Sequence, residues 1–409
     1  MVEYKNITKE ISALKSIARS GETDSFLNDS TKIFNAGSQS ISFIGRDTDK
    51  SYESIVAKLL NFKNIQDTIS EKEFNKALVR LLQNLFEEQR DCTPADAKTL
   101  YSSLLALEVQ TYERFCPLYG VKILSDKLEL GPFCIYNADI IKNKLIKDYK
   151  YVREHPETYL ENLDSPYLIG LKVVARDSEK AKELSESYFR SFENVLSYVI
   201  GDLNHIKCPG IFQFTEPRGI STLLHNGKTV ISTNENLTVS VPVNLDDESY
   251  NSQENGTGEL WSLITKPYQA KTDIERRILT AVEWAGQAIR ELDMKKALVE
   301  FVFALEGLLK MDSEGIITPS IISQIGDWLA FIIAEDVSNR VKVVDMFKEV
   351  YRKRSAIAHG GAKNILRSDC IKAFFLCHQA ILTLLIDKEL SKIKTIKELD
   401  AWVIQQRYK

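Results

Sequence analysis

The sequence predicts an α+β protein of more than one domain. A mostly helical N-terminal region covers residues 1–115, a small central α+β part 116–243, a polar linker 244–259, and an all-helical bundle 260–409. Three observations predict this layout. Apolar residues recur three and four apart on both flanks of the chain, the period of an amphipathic helix. Between the flanks lie short runs rich in β-branched and aromatic residues. The stretch NLDDESYNSQENGTGE, with almost nothing to bury, then divides the central part from the last. At 409 residues the chain exceeds what one core usually organises. Its 44% hydrophobic and 27% charged side chains are a globular balance, which excludes a disordered chain, a collagen-like repeat and a disulfide scaffold.

The elements follow in order. Windows from Tyr52 to Phe62 and Phe74 to Phe86 carry the helical period in the first region, interrupted by the polar breaks GETDS and AGSQS. From Cys116 the runs YGVKIL and LGPFCIY, joined by the charged SDKLE, read as a hairpin, and LIGLKVVARD reads as a buried strand. A helix from Ser178 to Val199 presents Ala181, Leu184, Tyr188, Phe192, Val195 and Val199 on one stripe. Asn226-Gly227 supplies the two positive-φ residues of a type I′ turn, and Leu237 to Val243 alternates as a strand.

Five helices are expected after the linker. Arg276 to Leu292 carries Ile278, Val282, Ala285, Ile289 and Leu292 on one face, and Asp293 caps a second helix with stripe Leu298, Phe301, Leu305 and Leu308. Thr318-Pro319 opens a third, with Pro at its first position. A fourth runs from near Ser338 to the cap at Gly360-Gly361, and a fifth from Ser368 or Asp369 buries Ile371, Phe374, Phe375, Ile381 and Leu385.

No run of about 18 apolar residues is present, and MVEYKNITKE has neither the basic start nor the apolar core of a signal peptide. A cytoplasmic protein without a membrane partner is expected. The six cysteines form no C-x-x-C pair, so no zinc or redox motif is indicated and no cofactor is expected. From Ser262 onward 23 basic face 19 acidic side chains, against 30 and 38 before it. The overall acidic balance disfavours a non-specific nucleic-acid coat, yet leaves room for a local phosphate site near the C-terminus.

The stretch richest in chemistry is VYRKRSAIAHGG, Val350 to Gly361. Arg352, Lys353 and Arg354 precede His359 and two glycines at a helix end. A histidine can exchange a proton with a ribose 2′-hydroxyl, and a guanidinium can hold a phosphate and its developing charge. These are the tools of metal-free RNA cleavage, although a basic helix end followed by His-Gly is more often only a dipole cap. Residues five apart on an ideal helix stand about 140° apart, so Arg354 and His359 meet one phosphate only if the helix ends between them or two chains share a site. The second option predicts a homodimer.

The pattern Val350-Tyr351-x-x-Arg354-Ser355-x-Ile357-x-His359-Gly360 resembles the R-x4-H signature of the HEPN ribonucleases, in particular the Apea-like HEPN family. Upstream, Arg277-Ile278-Leu279, Ala281, Trp284, Ala288, Phe301, Ala304-Leu305-Glu306 and Leu308-Leu309 stand in the order of that family's first two helices, so the resemblance spans roughly 273–387. It implies a helical, usually dimeric endoribonuclease of the kind found in toxin systems and abortive defence against phage. Carried over, Arg354 and His359 would be the catalytic pair, with Ser355 at the polar position after the arginine. Glu306 would orient Arg354, or stand as a solvated helix acid. Arg352, Lys353 and Tyr351 would contact RNA, Tyr351 by stacking on a base or instead by packing between helices. The His-x-Tyr continuation of the minimal nucleotidyltransferase-paired toxins is missing here, so control by adenylylation of that tyrosine is not implied. A regulatory or trigger protein would act on the N-terminal region.

Other candidates are weaker. His378 lies on an apolar stripe as a core histidine would, His205 and Cys208 fit a turn, and Gly256-x-Gly258 follows no strand and is no phosphate loop. The central part holds no cluster of His, Cys or carboxylates that would make it an enzyme. The competing reading is a non-catalytic scaffold that keeps the HEPN fold for dimerisation or binding.

Overall fold

The computed structural model describes residues 2–22, 32–36, 39–43, 46–161, 163, 165–212, 220–225, 228–234, 241–252, 254–311, 321–361 and 364–408. The chain divides into two compact units, Met1–Arg114 with Lys172–Ser187, and Phe115–Leu171 with Tyr188–Lys409.

The first unit runs α1 (Lys5–Ile17), β1 (Ala18–Glu22), β2 (Lys32–Ala36), β3 (Gln39–Phe43), α2 (Arg46–Asn61), α3 (Glu71–Glu87) and α4 (Pro94–Leu105). Its helices start where the chemistry asks for them. Ser70 accepts the Glu73 N–H ahead of α3, and Thr93 with Asp96 closes a capping box around Pro94. Ile11, Leu14, Phe43, Leu59, Phe74, Leu82 and Tyr101 form the core, where the Tyr101 hydroxyl donates to the Leu59 carbonyl at 2.7 Å. The antiparallel sheet, ordered β1-β3-β2, is an addition to the helical region that the sequence predicts. Strands as short and polar as ARSGE and QSISF show no clear alternation, so only the tertiary pairing makes them visible.

The next elements are β4 (Gln110–Leu118), β5 (Val121–Lys122), β6 (Lys127–Leu130), β7 (Phe133–Asn137), α5 (Ala138–Asp148), α6 (Lys150–Glu154), α7 (Pro156–Leu160), β8 (Tyr167–Ala175) and α8 (Ser178–Ile200). The strands form one sheet, ordered β4-β8-β7-β6. The hairpin lies one step later than SDKLE: Leu130 pairs with Phe133 across Gly131-Pro132. Gly131 has φ +57°, and a Cβ there would come within 2.6 Å of the Trp261 carbonyl, so the turn needs glycine twice over. Among the described strands follow β9 (Ile220–His225) and β10 (Lys228–Asn234), an antiparallel pair, and β11 (Val243–Asn244). Asn226, Gly227 and most of the expected strand from Leu237 lie outside the described residues.

Residues 244–252 and 254–259, expected as part of a linker, are folded. β11 pairs in parallel with β5, Ser125 donates to Asp246, and the Trp261 indole donates to the Tyr250 carbonyl at 2.8 Å. Asn, Ser and Thr here satisfy one another and the backbone, which makes structure from a composition that buries little.

The bundle comprises α9 (Thr257–Thr265), α10 (Asp273–Arg290), α11 (Met294–Leu309), α12 (Ile321–Ile333), α13 (Val337–Ala358), α14 (Arg367–Ile386) and α15 (Ile396–Arg407). α11 touches α10, α12, α13 and α14 and buries Leu298, Phe301, Leu305 and Leu308 among them. Asp293 caps it through the Lys295 N–H, as expected, whereas Leu292, expected on the inner stripe of α10, lies past the end of that helix and is exposed, and Thr318-Pro319 lies outside the described residues. α14 buries Cys370, Ala373, Leu376, Cys377, Ala380, Ile381 and Leu384 and leaves Ile371 and Phe375 exposed. Small side chains make up much of its inner face, where Ile381 is buried as expected and the half-buried Phe374 meets Phe301 of α11 at 5.9 Å between ring centres. By length and composition α14 is apolar enough to cross a membrane, and 44% of the relevant window is buried within the protein, as in a core helix.

α10 crosses α8 at Gly286, where a Cβ would lie 2.0 Å from the Asn194 carbonyl oxygen. Beside the crossing, Arg290 pairs with Glu193 at 3.5 Å, and Glu193, 2% exposed, also accepts the Ile211 and Phe212 N–H groups at 2.6 and 2.9 Å. Glu300 has a buried Oε2 without a hydrogen-bond partner. Burial, with the Glu291 charge adding to it, pushes its carboxyl up to about 7 against Lys296 and Arg290. A folded pKa above the unfolded one means stability that is fullest below about pH 4 and declines as pH rises toward 7. Glu300→Gln is therefore expected to remove that decline and add about 1–3 kcal/mol at pH 8. Denaturant midpoints measured from pH 4 to 8 check this; an unchanged slope in the variant contradicts it.

Candidate functional site

The R-x4-H residues lie on the last turns of α13. Asp336 caps that helix by accepting the Asn339 N–H, and its C-terminus closes through backbone geometry. The Gly361 N–H donates to the Ala356 carbonyl at 2.8 Å and the Gly360 N–H to that of Ile357 at 3.1 Å. Gly360, at φ +73°, supplies the left-handed residue this closure needs. His359 occupies the C-cap position, with φ −94° and ψ 10°, and is exposed. Among the described residues its imidazole has no hydrogen-bond or ion-pair partner.

Arg354 is held among side chains of α11 and α13. Its guanidinium carbon stands 5.4 Å from the Phe303 ring centre and 5.6 Å from that of Tyr351, and Nη2 lies 3.6 Å from Glu306 Oε2. Two aromatic faces and one carboxylate thus hold a half-buried cation in place. Phe303 in turn meets Trp284 edge-on at 5.3 Å, and Tyr351 lies 5.7 Å from Phe347. Burial first, then the Glu306 charge, raises the Tyr351 hydroxyl above its ordinary range. Of the two readings of Glu306, the geometry places it against Arg354. Tyr351 packs within the helix interface, with part of its surface still open.

Lys353, expected to contact RNA, is engaged elsewhere. Its ammonium pairs with Asp369, which is 2% exposed, and with Glu349 at 3.5 Å, while Lys372 donates to Glu349 at 2.8 Å. The Asp369 carboxylate also accepts the Leu366 N–H at 2.9 Å. Burial alone would raise its pKa, but Lys353 and that N–H hold it below the ordinary range. Lys353 thereby ties α13 to the start of α14. Arg352 is exposed, and Ser355 is half-buried, its carbonyl accepting the His359 N–H at 3.1 Å. Arg354, Glu306 and Tyr351 are brought together; His359 and Arg352 stand apart from them.

Phe303 and Asp369 are the members that sequence reasoning missed as parts of the site. Phe303 could have been found one helical turn before Glu306, on the same face. Asp369 was legible only as a helix start. Among the described residues no group of three or more His, Cys, Asp and Glu side chains is arranged to hold a metal ion. His205 and Cys208 lie in a turn closed by Asp202, which accepts the N–H groups of Asn204, Ile206 and Lys207. Comparison with family models, with curated proteins and with solved structures gives no match.

Proposed function

We propose that this chain is a metal-independent endoribonuclease of the HEPN kind, similar to the Apea-like family, acting in the cytoplasm as a toxin or abortive-defence effector. The observation that carries the reading is the end of α13. Arg354 is oriented there by Glu306, Phe303 and Tyr351, while His359 is exposed with an unengaged imidazole five residues on. In the reaction His359 takes the proton of a ribose 2′-hydroxyl, whose oxygen attacks the adjacent phosphorus. The bond to the 5′-oxygen breaks, that oxygen takes up a proton from the imidazolium so formed and leaves as a 5′-hydroxyl, and a 2′,3′-cyclic phosphate remains on the other strand end. Arg354 holds the phosphate oxygens as charge builds on them. The N-terminal region would sense a trigger or bind a regulatory protein.

Purified full-length protein is expected to cut RNA in the presence of EDTA and leave 2′,3′-cyclic phosphate ends. Cleavage that stops with chelator and returns with magnesium would assign the chemistry to a metal instead. Arg354 lies inside α13 and His359 at the C-cap that ends it, and the resemblance to the usually dimeric HEPN ribonucleases implies a site that a second copy completes. Light scattering of the active protein is therefore expected to give a dimer. A strictly monomeric species that cuts at full rate would place the whole site in one chain.

The scaffold reading draws on a different observation: Arg354 and Lys353 are both engaged in ion pairs that stabilise the bundle. It predicts no cleavage and an unchanged dimer when His359 is replaced.

A further inference from the structure

A cavity of about 210 Å³ lies beside α14 in the second unit, away from the motif on α13. Tyr198, Leu260, Leu382 and Leu385 supply apolar wall, and Asn255 and Thr257 line another side. Those two polar side chains are already satisfied: Asn255 donates to the Ser249 carbonyl at 2.9 Å, and the Thr257 hydroxyl donates to Asn255 Oδ1 at 2.7 Å. His378 is different. It lines the cavity with its ring 5.5 Å from both Tyr198 and Phe374, and its Nδ1 is sealed from solvent without a hydrogen-bond partner.

That arrangement selects an occupant. A sealed nitrogen is cheaper to leave as a bare acceptor than as an orphaned N–H donor, so the proton sits on Nε2. Burial lowers the pKa of the ring and keeps it neutral near pH 7. The imidazole thus offers one donor and no charge. No charged side chain is among the described residues lining the cavity, so an ion would enter unpaired. An apolar cavity of about 150 Å³ takes benzene, so this volume suits one substituted ring. We infer that the cavity beside His378 is a binding site for a neutral, single-ring molecule carrying an oxygen acceptor that meets His378 Nε2.

Benzamide, benzoate and toluene serve as probes on the full-length protein labelled with ¹⁵N-histidine. Benzamide is expected to shift the His378 ring resonances saturably and to bind at least tenfold more tightly than benzoate. His378→Phe is expected to lower benzamide affinity about tenfold while toluene still binds. Leu382→Phe, which fills the space from one helical turn further along α14 and keeps the histidine side chain, is expected to abolish both. Equal binding of benzamide and benzoate, an unmoved His378 resonance, or binding that survives Leu382→Phe would each overturn the assignment.

Discussion

His359→Ala is expected to lower RNA cleavage by about 10²- to 10⁴-fold, the range that general acid–base catalysis contributes. Stability should hardly change, because the imidazole is exposed and unpartnered. Arg354→Ala is expected to cost a comparable factor in rate through lost charge stabilisation. It also empties the space between Phe303 and Tyr351 and leaves Glu306 without its cation, at about 1 kcal/mol of stability. Arg354→Lys separates the two effects. An ammonium keeps the charge beside Glu306 but loses the planar fork that grips two phosphate oxygens and stacks on rings, so it should restore most stability and little activity. Rates on defined RNA, with thermal unfolding of the same samples, check all three. A His359→Ala protein that cuts RNA at the original rate would make the motif structural.

Gly286→Ala carries the largest expected stability effect, about 3 kcal/mol or more. Its added Cβ would sit 2.0 Å from the Asn194 carbonyl oxygen, and the obstacle is backbone that cannot rotate away. Only parting α8 from α10 relieves it, which pulls Arg290 from Glu193 and Asn194. Gly307 on α11 is the control, since its added Cβ would meet Thr280 at an ordinary 3.5 Å. Gly307→Ala should therefore gain about 0.5–1 kcal/mol from helix propensity. Denaturant midpoints of the two variants should move in opposite directions. A Gly286→Ala midpoint like the original would mean that α8 and α10 do not cross so closely.

The bundle helices were legible because their stripes are long and their stop signals explicit. Asp293 caps α11, and Gly360 ends α13 where the sequence places that end. Periodicity failed in part on α14: Ile371 and Phe375 are exposed, and the inner side, where Ile381 lies as expected, is otherwise mostly Ala, Cys and Leu. The β1-β3-β2 sheet and the folded stretches at 244–252 and 254–259 escaped because backbone pairing and local hydrogen bonds stabilise them, which composition does not display. At the site, the motif gave Arg354 and His359, and Glu306 stood open between two roles. The orientation of Arg354 by Phe303, and the capture of Lys353 by Asp369, depend on neighbours 51 and 16 positions away in sequence and could come only from the structure.

The central claim is that a ribose 2′-hydroxyl, activated at the end of α13, is the nucleophile. The most direct measurement is cleavage of one RNA, cut at a mapped position, against the same RNA with a single 2′-deoxyribose on the 5′ side of that phosphodiester. The account predicts that the unmodified strand is cut and the substituted strand stays intact at that position. Cutting both strands there at the same rate would mean that water or another nucleophile attacks the phosphate, and would contradict it.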